Sequence, residues 1–132
     1  LLNVVNKRAG EPQKLIVLLT IIIGGIRMSL KKTFSKDGKC NVTFTVSSEA
    51  AQGAKTVNIA GDFNSWSSTD TPMKKGKDGS FSVKLTLDVD KEYQFRYLLD
   101  GYKWENDWKA DKYIPAPYSN ADNSVVVTKK TK

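Results

Sequence analysis

From residue 30 onward, apolar and polar side chains alternate with a period of two, the spacing of β-strands half-buried in a sheet. Cys40, Val42, Phe44 and Val46 alternate with Asn41, Thr43 and Thr45. Phe81, Val83, Leu85 and Leu87 alternate with Ser82, Lys84 and Thr86, the clearest such run in the chain. Val57 and Ile59 continue in phase to Gly61 and Phe63, and Tyr93, Phe95, Tyr97 and Leu99 make another strand. A β-branched run from Val125 to Thr128 makes the last. The pairs Asp37-Gly38, Asp78-Gly79 and Asp100-Gly101 are turn signals between them. No stretch after Met28 carries helical periodicity beyond a short turn near Ser48 to Gln52. Six or seven short strands in about 100 residues predict an all-β fold, an immunoglobulin-like antiparallel sandwich. Phe44, Val83, Leu85 and Phe95 are its expected core.

The first 27 residues break this pattern. Leu15 to Ile26 is a continuous apolar run, LIVLLTIIIGGI. It is shorter than the roughly 20 residues that span a bilayer. Lys7, Arg8 and Lys14 precede it, as in a signal peptide, but Arg27 follows at once and no A-x-A-like cleavage site is present. The chain opens on Leu1, while Met28 opens the patterned region and Gly24-Gly25 stand where a purine-rich ribosome-binding site would be encoded. The expectation is that 1–27 is a non-native upstream or targeting segment and 28–132 the domain. A signal or anchor, or an extra packed element, are the alternatives. No membrane is expected as a partner if 1–27 is non-native.

At 132 residues the chain holds one ordinary domain. Hydrophobic residues at 39% and charged residues at 27% fit a globular protein rather than a disordered one. The net charge is +7, of which the first 27 residues contribute +3. The remaining +4 is spread among interspersed acids, giving a solvated surface rather than a basic groove, so no nucleic-acid partner is expected. One cysteine rules out an internal disulfide and a CxxC metal site, and with no histidine the usual zinc ligand and triad base are missing. No metal and no cofactor are therefore expected. Lack of disulfides fits a reducing compartment, hence a cytoplasmic location. Cys40, in phase with Val42 and Phe44, reads as an inert core thiol rather than a reactive one.

The chemistry sits in three tryptophans placed at strand ends and turns. Trp66 closes Ala60-Gly61-Asp62-Phe63-Asn64-Ser65-Trp66, and Trp104 and Trp108 follow Asp100-Gly101. Indoles in polar, turn-rich sequence are less readily explained as core filling than rings in an alternating strand. A flat indole can stack on the C–H face of a pyranose. At roughly 25 cal/mol per Å², burying some 60–100 Å² contributes about 1.5–2.5 kcal/mol per ring. Plugging the ends of the sandwich is the competing use of these rings.

The segment Val57-Asn58-Ile59-Ala60-Gly61-Asp62-Phe63-Asn64-Ser65-Trp66 resembles the signature of the glycogen-binding module of AMP-activated protein kinase β subunits. The same module is the early-set N-terminal domain of isoamylases and branching enzymes. The likeness continues through Met73, Asp78-Gly79-Ser80-Phe81, Tyr93-Gln94-Phe95-Arg96-Tyr97, Asp100-Gly101 and Trp104, and ends at Asn123-Ser124-Val125-Val126-Val127. It covers most of residues 29–129 and is nearest to the small stand-alone bacterial forms.

The resemblance implies non-catalytic binding of α-glucans such as glycogen or starch, with a glycogen-metabolising enzyme as a further partner. Trp66 and Trp104 take the places of the two stacking platforms. Arg96 stands where the kinase module has a hydroxyl-binding lysine, and Asn123 on its hydroxyl-binding asparagine. Trp104 is offset by one residue after Asp100-Gly101. The kinase module also inserts a leucine from the loop before the asparagine. Here that loop reads Tyr118-Ser119-Asn120-Ala121-Asp122, and Tyr118 is the candidate substitute. Trp108 stands where relatives often have proline, leaving ligand and packing roles open. Alternation turns Arg96 away from the core, toward solvent or ligand.

Glycoside hydrolysis needs two carboxylates flanking the bond, about 5–9.5 Å apart. Asp100, Glu105, Asp107 and Asp111 lie in one turn-rich stretch, where acids commonly satisfy backbone donors, and no second domain forms a cleft. No enzyme activity is expected. The same acids lack the spacing of a calcium loop. The rival reading is an early-set domain that has lost sugar binding and serves as a protein-interaction or regulatory module.

Overall fold

A computed structural model describes residues 29–117 and 119–130. The segment 1–27 and Tyr118 lie outside the described residues. Among the described residues nine strands follow in order: β1 Ser29–Phe34, β2 Lys39–Val46, β3 Val57–Gly61, β4 Lys74–Lys75, β5 Phe81–Asp88, β6 Glu92–Leu99, β7 Lys103–Glu105, β8 Lys112–Pro115 and β9 Asp122–Val127. A 3₁₀ turn, Asp62–Asn64, follows β3. Among the described residues no helix is long and apolar enough to cross a membrane.

The strands form two antiparallel sheets, ordered β1-β2-β5-β4 and β3-β6-β9-β8, with β7 beside β6. This is an immunoglobulin-like sandwich. Its core is where the alternating apolar positions meet. Cys40, Val42, Phe44 and Val46 from β2 and Phe95, Tyr97 and Leu99 from β6 are all buried in one cluster. Phe44 and Phe95 meet edge to face with ring centroids 5.1 Å apart, and Phe95 meets Tyr97 the same way at 5.6 Å. Such pairs add to the burial of apolar area, which is the main stabilising term.

Phe44 and Phe95 occupy the core as the alternation requires, and Cys40 is a buried thiol. Val83 and Leu85 pack on the core but stay half-buried. The reason is the short β4, which covers β5 only at Ser82 and Phe81 and leaves the middle of that strand at the sheet edge. The run Val57–Phe63 also ends earlier than its pattern: β3 stops at Gly61, and Phe63 sits in the 3₁₀ turn, its ring still packed 5.8 Å from Phe44. Near Ser48 to Gln52 the chain makes one helical turn, with Ser47 Oγ accepting from the Ala50 amide at 3.1 Å.

Asp100, Gly101 and Tyr102 connect β6 to β7; Asp100 and Gly101 have φ of 52° and 78°, and Tyr102 N donates to Leu99 O at 3.1 Å. Positive φ at both residues matches the twist of a tight hairpin. That hairpin carries Trp104 back alongside β6.

Candidate functional site

The residues of interest gather on the outer face of the β3-β6-β9-β8 sheet. In β6, Phe95 and Tyr97 point into the core, so Gln94, Arg96 and Leu98 share the opposite face. Register places Ala60 beside Arg96 and Trp104 beside Leu98 on that face. Lys103 and Glu105 have the other parity and meet Gln52 instead.

Trp66 reaches the site through the turn that ends β3. Asn64 builds that turn: its Oδ1 accepts from Gly61 N at 3.0 Å, and its Nδ2 donates to Ile59 O at 3.0 Å and Thr71 Oγ1 at 2.9 Å. Ser65 and Trp66 then both adopt left-handed backbone, with φ of 55° and 57°. Trp66 N closes the loop on Gly61 O at 2.8 Å. Gly61 is required by close approach: an added Cβ would lie 2.5 Å from Gln94 O and 2.7 Å from Phe95 Cβ.

Asp62 links this turn to β6. Its Oδ1 accepts from Trp66 Nε1 at 3.0 Å, and its Oδ2 accepts from Gln94 N at 2.7 Å. The side-chain amide of Gln94 continues the chain: Gln94 Oε1 accepts from Asn123 Nδ2 at 2.9 Å, and Asn123 Oδ1 accepts from Arg96 Nε at 2.7 Å. Trp66, Asp62, Gln94, Asn123 and Arg96 are thus one connected polar row from the turn after β3 across β6 to β9.

The row lies along a wide, shallow groove of about 540 Å³ lined by Asp62, Trp66, Gln94, Ala116, Pro117, Ser119 and Asn123. The far wall is the β8–β9 loop, pinned by Ala116 N to Ala121 O at 3.2 Å. Trp66 and Asn123, both singled out by sequence, therefore meet in one groove, and Arg96 is tied to it through Asn123. Trp104 does not line it. At about 3.3 Å per residue, the position of Trp104 opposite Leu98 lies about 13 Å along β6 from Gln94. Trp104 and Trp108 are 42% and 51% exposed. Asn123 is only 6% exposed. Its two polar atoms face partners inside the protein.

Asp62 and Gln94 were not singled out by sequence. Gln94 had a signal, lying two residues before Arg96 and so on the same strand face. Asp62 precedes Trp66 by four residues in a segment read as turn and core, and its two bonds depend on tertiary neighbours.

The loop carrying Trp108 is anchored by a buried carboxylate. Tyr97 Oη donates to Asp107 Oδ2 at 2.6 Å, Lys109 N donates to Asp107 Oδ1 at 2.7 Å, and Asp107 N donates to Ser124 Oγ at 2.8 Å. Burial raises the Asp107 carboxyl above its ordinary range, against the Tyr97 and Lys109 hydrogen bonds, which lower it. Burial, then the Asp107 charge, push the Tyr97 hydroxyl well up. The other acids of this stretch are also engaged. Asp100 Oδ1 accepts from Lys55 N and Thr56 N at 2.7 and 3.1 Å. Asp111 pairs with Lys32 at 2.7 Å, and Glu105 with Lys103 at 3.8 Å. Among the described residues no group of three or more acids, cysteines or histidines could hold a metal ion.

The family model for carbohydrate-binding module 48, the isoamylase N-terminal domain, matches residues 32–114, more than half of the chain. The chain belongs to this family. Carbohydrate-binding module 48 is a family of non-catalytic binding modules. The matched span includes Trp66, Gln94, Arg96 and Trp104 and stops before the groove's far wall, Ala116 to Asn123. Among solved structures, the chain is similar to pullulanase type I from Bacillus subtilis str. 168 in complex with maltose, at 18% identity and a TM-score of 0.44. That likeness covers 79% of this chain and 14% of the pullulanase. A search of curated proteins returned no match.

Proposed function

We propose that this module binds α-glucans, of the glycogen or starch kind, without catalysing a reaction on them. The observation that carries the reading is the groove in which Trp66 stands beside the Gln94–Asn123–Arg96 row. An indole face beside hydrogen-bonding amide and guanidinium groups matches the two sides of a glucose ring, apolar C–H faces and a polar rim. Trp66 supplies the stacking platform. Gln94 and Arg96 supply donors to hydroxyls, and Asn123 holds both in place. Trp104 is a second platform, reached by a longer chain. Tyr118 and Trp108 remain candidate contacts.

Two stacked rings and a few hydrogen bonds support a Kd between micromolar and millimolar, about 4–8 kcal/mol, after the cost of immobilising a flexible glucan. The module acts in the cytoplasm beside a glycogen-metabolising enzyme. The exposed Trp108 and Tyr113, outside the groove, favour the second reading, a protein-interaction module. Co-sedimentation of the full chain with glycogen tests the proposal. Retention at low and physiological salt alike supports an uncharged ligand. Steep loss with salt would point to a polyanion, and no retention would favour the second reading.

A further inference from the structure

The structure assigns Asp62 as the positioning residue of the Trp66 platform, fixing the indole so that it offers a sugar its flat face and not its N–H. This rests on the glucan-binding reading of the groove.

Trp66 needs such a restraint because of how it is delivered. It follows Ser65 at the end of a turn, and both residues are in left-handed backbone, which costs non-glycine residues of order 1 kcal/mol each. Asn64 and the Trp66 N to Gly61 O bond settle the backbone of the turn. They leave the two side-chain torsions of Trp66 undetermined. The Nε1 to Asp62 Oδ1 bond determines them, and Asp62 is itself held by Gln94 N on the neighbouring strand.

The choice of a carboxylate follows from counting donors. Two N–H groups converge on residue 62, one from the indole and one from the β6 backbone beyond the end of β3. Aspartate offers two acceptor oxygens. Asparagine has the same shape but one acceptor and one NH₂, so it must turn a donor toward one of the N–H groups. Both Asp62 and Trp66 line the groove. With its N–H already bonded, the indole contributes stacking, and hydroxyl recognition falls to Gln94 and Arg96. A platform fixed before the ligand arrives also loses less rotamer freedom on binding.

The test is exchange of the Trp66 indole N–H by NMR in the full chain, assigned by its disappearance in Trp66→Phe. It is combined with maltoheptaose titrations of the parent, Asp62→Asn, Trp66→Phe and the double variant. In the parent, the Trp66 N–H should exchange at least about tenfold more slowly than that of Trp104. Equal rates would overturn the proposal without any variant. Asp62→Asn should abolish the protection and weaken maltoheptaose binding about fivefold. In the Trp66→Phe background, which has a ring but no N–H, the same change should cost less than about 1.5-fold. An equal loss in both backgrounds would mean that Asp62 acts through the Gln94 backbone and the sheet, and the proposal fails. Should the parent bind no glucan, the functional reading falls, and the exchange rates alone decide whether Asp62 holds the ring.

Discussion

Arg96 Nε, on β6, donates to Asn123 Oδ1, on β9, at 2.7 Å, and Asn123 Nδ2 in turn donates to Gln94 Oε1 at 2.9 Å. One nearly buried amide therefore orients two groups of the groove. Asn123→Ala should weaken maltoheptaose binding by about 0.5–1.5 kcal/mol, the worth of a neutral hydrogen bond or two. Gln94→Ala should produce a loss of similar size. Titration calorimetry on folded variants checks this, and full affinity in both would remove the row from the site.

Trp66 and Trp104 should differ in the length of glucan they serve. Trp66 stands in the groove, whereas Trp104 lies along the sheet beside Leu98. Trp104→Ala should weaken maltoheptaose about tenfold and leave maltotriose little changed, while Trp66→Ala should weaken both. Comparing the two sugars against each variant tests the arrangement. Equal sensitivity of maltotriose to both substitutions would place the rings on one short ligand instead.

Gly61→Ala should destabilise the fold by about 2–3 kcal/mol, because the new methyl group meets backbone and core atoms that cannot step aside. The extended backbone at Gly61, with φ of −171°, is open to any residue, so the cost is steric and not torsional. Denaturant unfolding measures it. A loss below about 0.5 kcal/mol would show that the β3–β6 contact relaxes easily.

Asp107 should make stability depend on pH in the unusual direction. Its folded carboxyl titrates above the ordinary range, chiefly through burial, so the folded state holds this proton more tightly than the unfolded chain does. Its contribution is fully present below the unfolded pKa and is lost as pH rises through the folded one. Relative to Asp107→Asn, which has no such proton, the parent should gain thermal stability as pH falls from 7 toward 4. The difference in melting temperature followed over that range checks the sign. A parent that loses ground to the variant on acidification would mean that the Tyr97 and Lys109 hydrogen bonds outweigh burial.

The sandwich was legible wherever one face of a strand is buried and the other wet, as in Cys40–Val46 and Phe81–Leu87. Turn chemistry at Asp100-Gly101 also read correctly, because positive φ is a local demand. The short strands Lys103–Glu105 and Lys112–Pro115 carry too few residues for alternation to register. The end of β3 was misplaced because Phe63 keeps its apolar phase while its backbone turns away. Among the candidate site residues, Trp66 was singled out by its place in a polar turn, and Arg96 and Asn123 through a family likeness. Asp62 and Gln94 were not, since their bonds are set by which strand lies next to which. Strand neighbours are chosen by the whole fold, and no local spacing encodes them.

The most direct measurement is titration of maltoheptaose into the full chain and into a folded Trp66→Ala variant. The account predicts a Kd between micromolar and millimolar for the parent and at least about a tenfold weaker one for the variant, since about 1.4 kcal/mol of lost stacking is a factor of ten. A parent that binds no glucan, or a folded variant that binds as tightly as the parent, would contradict it.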